Sequence, residues 1–75
     1  MKLESLISEI FSLNEDQIHD ELELKAIESW DSMAHMELIA SLEASYEIAL
    51  SGDEIIDIKK IGDIKQVIIR HKGKL

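Results

Sequence analysis

The apolar positions of this 75-residue chain recur at spacings that belong to helices. Leu3, Leu6, Ile7, Ile10 and Phe11 fall every three or four residues, so a helix over about Leu3–Leu13 gathers them into one stripe. Asn14 stops it, and Asn14 with Gln17 three residues on has the form of a cap for a short turn. From Gln17 to Ser29 the spacing of Ile18, Leu22, Leu24 and Ile27 is too irregular for one amphipathic helix. That stretch is expected to be a long loop containing a helical turn, pinned to the core by those four side chains. A loop of this length in a small domain is uncommon and often functional.

A second helix is predicted from Asp31-Ser32 to about Tyr46, with Asp31 as the N-cap. At about 100° per residue, Leu38, Ile39, Leu42 and Tyr46 share roughly one third of the circumference and form its core stripe. His35 lies in the same arc. Met33, Met36 and Ala40 fall on another side, next to Glu37, Glu43 and Ala44. That second face is either a partner groove, since Met adapts to differently shaped surfaces, or an extension of the core under the loop. Ser51-Gly52-Asp53-Glu54 has the capping-box form and opens a short helix carrying Ile55, Ile56 and Ile58. Ile61, Ile64, Val67 and Ile68 mark a last helix to about Arg70. The β-branched run Val67-Ile68-Ile69 would suit a strand, but its three-to-four spacing and the lack of a pairing partner favour helix. Lys72-Gly73-Lys74-Leu75 reads as a frayed tail. The fold class is therefore all-α: a small four-helix bundle with a long first loop and a short third helix.

Length restricts residues 1–75 to one domain with a thin core. The chain has no cysteine, which excludes a disulfide framework, a zinc site of the Cys type and a cysteine nucleophile. Any reactive thiol must come from a prosthetic group. No apolar run approaches the roughly 20 residues that span a bilayer, and Met1-Lys2-Leu3-Glu4 lacks the layout of a signal peptide. A cytoplasmic location is expected, with no membrane partner. Residues 3–57 hold fifteen of the sixteen acids and a single Lys or Arg, Lys25, whereas six of the eight Lys and Arg residues lie from Lys59 onward. So acidic a body repels nucleic acid. Either it attracts proteins with Arg and Lys patches, or the charge serves only solubility.

No catalytic constellation emerges. His19, His35 and His71 are dispersed, no glycine-rich phosphate loop exists, and Asp53 to Asp57 does not match a calcium loop. The segment Glu28-Ser29-Trp30-Asp31-Ser32-Met33 differs, because a long loop there meets the start of the second helix. A serine just inside a helix N-terminus sits beside unpaired backbone N–H groups, so a phosphate esterified to Ser32 would be favoured by those donors and by the helix dipole. Taken alone, Asp31-Ser32 is also an ordinary helix start.

Asp31-Ser32-Met33 resembles the Asp-Ser-Leu signature of the acyl carrier protein family. Glu37-Leu38-Ile39, Leu42-Glu43 and Tyr46-Glu47-Ile48 resemble that family's second helix and its end, and Lys60-Ile61-Gly62-Asp63-Ile64 resembles the entry into its last helix. The match runs without gaps from Trp30 to about Ile69. The resemblance implies an acyl-carrier-like bundle that is no enzyme, with 4′-phosphopantetheine attached at Ser32 by a phosphopantetheinyl transferase. It implies that the arm's thiol carries acyl or aminoacyl groups as thioesters. Asp31 would assist the transferase and its metal ion. Glu37 and Glu43 would dock to basic patches on acyl-activating and acyl-transferring enzymes, with Met33 and Met36 as apolar positions on the same docking face, the carrier itself being a monomer. The alternative is an acidic helical adaptor for basic proteins that is never modified.

Several positions depart from the family pattern. Trp30 replaces a small residue, Ala34 and Ala44 replace acids, Leu50 replaces a proline, and Lys59-Lys60 replaces a small hydroxyl cap. These changes thin the acidic face of the second helix, and Trp-Asp-Ser-Met looks more like a discrete carrier of a dedicated pathway than one of general fatty-acid synthesis. The large apolar area of Trp30 favours an anchor for the loop over a cover for the arm. His35 is expected to be hydrogen-bonded in the core or at a cavity mouth.

Overall fold

The computed structural model describes residues 3–73. They form four helices: α1 (Leu3–Phe11), α2 (Ser32–Tyr46), α3 (Gly52–Asp57) and α4 (Ile61–Lys72). No strand occurs among the described residues, and the only sheet-like pairing is an isolated antiparallel bridge between Glu23 and Lys60.

α1 buries the stripe its spacing dictates: Leu3, Leu6, Ile7 and Phe11. It stops at Phe11 rather than Leu13. Ser12 turns into the left-handed region at φ 56°, and the Leu13 N–H reaches back to the Ser8 carbonyl at 3.1 Å. This wraps the last turn and satisfies a carbonyl that the helix leaves orphaned. Asn14 and Gln17 then cap a short 3₁₀ turn over Glu15–Gln17, with the Asn14 N–H donating to Gln17 Oε1 at 3.0 Å.

The long loop contains a second 3₁₀ turn at Leu24–Ala26. Leu24 and Ile27 are buried, and Ile18 and Leu22 pack half-buried against the core. Backbone bonds across a separation of about forty residues also hold it. The Leu24 N–H donates to the Lys59 carbonyl, the Ile61 N–H to Leu22 and the Gly62 N–H to Asp20, all at 2.9–3.0 Å. A Cβ on residue 62 would come within 3.2 Å of that Asp20 oxygen, so glycine permits the close approach. Lys65 reinforces the junction from α4, its Nζ 2.6 Å from Asp20 and 3.8 Å from Glu4. The hydrogen bond to Asp20 raises the Lys65 pKa above the usual lysine value.

In α2, Leu38, Ile39 and Leu42 are buried, while Tyr46 is half-buried at the end of the stripe. Glu47, left-handed at φ 55°, closes the helix. α3 begins in the capping box that its sequence spells: the Glu54 N–H donates to Ser51 Oγ at 3.2 Å, and the Ser51 N–H to Glu54 Oε1 at 3.0 Å. α4 has no hydroxyl cap. The Asp63 carboxylate reaches back instead, accepting from the N–H groups of the cap residue Lys60 and of Lys59 before it at 3.2 and 3.0 Å. Val67-Ile68-Ile69 is helical, and α4 runs two residues past Arg70 to a glycine C-cap, Gly73, at φ 83°. Lys72 and Gly73 thus belong to an ordered helix end rather than to a frayed tail; Lys74 and Leu75 lie outside the described residues.

The helices meet in one apolar cluster, where Ile7, Leu38, Leu42, Ile61, Ile64 and Ile68 are wholly shielded from solvent. Each such side chain contributes on the order of 2 kcal/mol by leaving water. Among the described residues no polar or charged residue is buried, so every group able to do chemistry lies at the surface or half-buried beneath it.

Candidate functional site

The junction of the loop with α2 brings the sequence-predicted residues together. Asp31 is the N-cap, with extended backbone, and its Oδ1 accepts from the Ala34 N–H at 2.8 Å. Ser32 is the first residue of α2 and is exposed. The N–H groups of Ser32 and Met33 fall in the first turn, where a helix offers them no internal acceptor. An exposed hydroxyl, two first-turn donors and the positive end of a 15-residue helix suit a phosphodiester.

Met33 and Met36 are 82% and 53% exposed. They do not extend the core under the loop; they stand outside it with exposed Ala40 and Glu37 beside them. Glu43 is half-buried, and its Oε2 accepts from the Leu50 N–H at 2.9 Å. That bond accounts for Leu50 in place of a proline, which has no N–H to give. Ile56 on α3 is also exposed, at 70%; the sequence placed it on a short helix without indicating which side it takes.

Trp30 and His35 form a hydrogen-bonded pair beside Ser32. The Trp30 ring packs half-buried against the core cluster, so it anchors the loop. Its Nε1–H donates to His35 Nδ1 at 3.3 Å, the rings meeting edge to face at 5.9 Å and 86°. His35 Nε2 lies 3.0 Å from the Ile55 carbonyl in α3. An indole N–H only donates and a carbonyl only accepts, so His35 is held as the neutral tautomer protonated at Nε2. Both residues line a cavity of about 290 Å³ whose buried lining includes Leu24 and Ile58. Exposed Lys25, Ile56 and Lys59 complete much of its rim. Among the described residues no cluster of three or more His, Asp or Glu side chains is placed to hold a metal ion.

The family described as Phosphopantetheine attachment site matches residues 2–68. The chain belongs to that family. Its relatives include the acyl carrier proteins of Clostridium perfringens strains SM101 and 13, each 32% identical over 73 residues that cover 97% of this chain and 96% of the relative. Among solved structures, the holo acyl carrier protein from Geobacter metallireducens superposes with a TM-score of 0.84 at 28% identity, over 95% of this chain and 82% of that one. Members of the family are carriers and not catalysts, and this chain is an acyl carrier whose prosthetic group is 4′-phosphopantetheine. When bound, that group supplies a thiol on a flexible arm, which the cysteine-free chain cannot supply itself. Family membership favours a carrier over the unmodified adaptor. It also implies a phosphopantetheinyl transferase and acyl-handling enzymes as partners. No helix among the described residues is long and apolar enough to cross a membrane.

Proposed function

We propose that Ser32 bears the prosthetic group and that residues 1–75 act as one cytoplasmic carrier domain, presenting acyl or aminoacyl groups to partner enzymes. The observation that carries this reading is an exposed serine opening α2, directly after an acid that caps the helix. In the modification reaction the Ser32 hydroxyl attacks the phosphorus next to the pantetheine of coenzyme A and gives up its proton, the pyrophosphate bond breaks, and adenosine 3′,5′-bisphosphate leaves. Asp31 keeps the first turn of α2 formed through Oδ1. Its Oδ2, without a hydrogen bond among the described residues, is left for the transferase and its metal ion.

Met33 and Met36, with Glu37 beside them and Glu43 further along α2, form the docking face in this reading. Ile56 extends its apolar part onto α3. A partner matched to it has an apolar hollow rimmed by Arg or Lys. Ala34 and Ala44 leave few acids on α2, which supports a dedicated pathway over general fatty-acid synthesis.

Incubating the protein with coenzyme A and a broad-range transferase should add one phosphopantetheinyl mass, and Ser32→Ala should abolish the addition. Modification that survives in Ser32→Ala, or a wild-type chain that stays bare, would refute the assignment.

A further inference from the structure

The exposed positions around Ser32 stand in front of a half-buried pair of side chains. Trp30 comes two residues before Ser32, and His35 comes two after Met33 and just before Met36. His35 Nε2 meets the carbonyl of Ile55, whose neighbour in the chain is the exposed Ile56. Trp30 and His35 themselves are half-buried behind that surface.

α3 needs this tie. It has six residues, too few to hold together through its own hydrogen bonds. Glu54 fastens it to α4 through Arg70 and His71. Toward α2, the contact of His35 with the Ile55 carbonyl is the only hydrogen bond among the described residues. Within a helix that carbonyl would look to the Lys59 N–H, four residues on, but that N–H donates to Asp63. His35 supplies the donor instead, and Trp30 secures it. With the indole N–H on Nδ1, the imidazole proton has to sit on Nε2.

We propose that Trp30 and His35 are positioning residues for the modification of Ser32. By tying α3 to the start of α2, they hold Ile56 in a fixed arrangement with Ser32, Met33 and Met36 for the phosphopantetheinyl transferase to engage. A face already set spares the transferase the ordering of α3 when it docks. Loss of the tie places that cost in KM. The chemical step is left alone, because the Asp31 cap that forms the first turn around Ser32 uses neither side chain. The assignment rests on the reading above, in which Ser32 receives the group and Ile56 lies on the docking face.

The test is transferase kinetics with coenzyme A and the carrier as varied substrate. His35→Leu keeps an apolar side chain in place of the imidazole without its donor or acceptor. It should raise KM roughly two- to tenfold, the range that one lost hydrogen bond corresponds to, and leave kcat within about twofold of the parent. Trp30→Phe, which removes the indole N–H, should raise KM in the same direction. His35→Gln, whose amide N–H can serve the Ile55 carbonyl, should return KM to near the parent value. Ile56→Ala should raise KM in the parent but add little in His35→Leu, where Ile56 is no longer held. An unchanged KM in His35→Leu and Trp30→Phe overturns the proposal. So does a fall in kcat alone, a His35→Gln KM as high as that of His35→Leu, or full additivity of His35→Leu with Ile56→Ala. If His35→Leu proves unfolded by circular dichroism, Trp30→Phe takes its place in the cycle with Ile56→Ala. A parent chain that stays bare removes the Ser32 reading and this assignment with it; a modified parent with no KM change in the variants removes the positioning role alone.

Discussion

Asp31 is asked to serve two ends with one carboxylate, and substitutions can separate them. Oδ1 holds the Ala34 N–H at 2.8 Å, so Asp31→Ala should cost about 1 kcal/mol in urea unfolding. Asn caps as well as Asp, so Asp31→Asn should stay within about 0.5 kcal/mol of the parent. If the lost charge serves the transferase, kcat/KM for phosphopantetheinylation should nonetheless fall in Asp31→Asn. Equal kcat/KM in the parent and the Asn variant would reduce Asp31 to a cap. This residue and Ser32 were legible in the sequence because a cap and its helix are neighbours along the chain. The Trp30–His35 bond was not. The helical wheel turned His35 inward, but its partners depend on how the loop and α3 settle around α2, which no local pattern encodes. The exposure of Met33 and Met36 was likewise left open by periodicity, which gives a residue's side of the helix but not what covers that side.

At the level of elements, α3 is too short to be stable through its own hydrogen bonds, and Glu54 fastens it both to its own N-cap and to α4. Its carboxylate accepts from Ser51 in the capping box, from Arg70 at 3.1 Å and from His71 at 3.0 Å on α4. These bonds, the one from the Ser51 backbone first, hold its pKa at about 2 against an ordinary 4.5. A carboxylate with a depressed folded-state pKa stabilises the fold above its unfolded value and ceases to do so as acid titrates it. The melting-temperature difference between the parent and Glu54→Gln should therefore be full near neutral pH and shrink from pH 4.5 toward 2. A difference independent of pH across that range would exclude the charge as its cause. The α3 capping box was plain in the sequence, as were the core stripes of α1, α2 and α4. Their ends were not. α1 stops early because Ser12 adopts a left-handed conformation rare for a residue with a Cβ, and α4 runs on because Gly73 supplies a proper cap.

Across the whole molecule, charge follows the order of the chain. Fifteen of the sixteen acids lie before α4, and most Lys and Arg residues lie at and beyond its start. Association with a basic partner should therefore weaken as salt shortens the reach of the field, from about 8 Å at 0.15 M to about 3 Å at 1 M ionic strength. Measured with a transferase, KM should rise several-fold between low and high salt while kcat changes little. A salt-independent KM would leave the apolar residues around Ser32 as the whole of the docking surface. The backbone ladder between residues 20–24 and 59–62 has a separate consequence, for the order in which the molecule comes apart. Since Leu24, Ile61 and Gly62 donate across this junction, the loop has no route to open by itself. Their amides should exchange with deuterium only at the rate of global unfolding, alongside the deepest amides of α2, while those of Glu21 and Glu28 exchange orders of magnitude sooner.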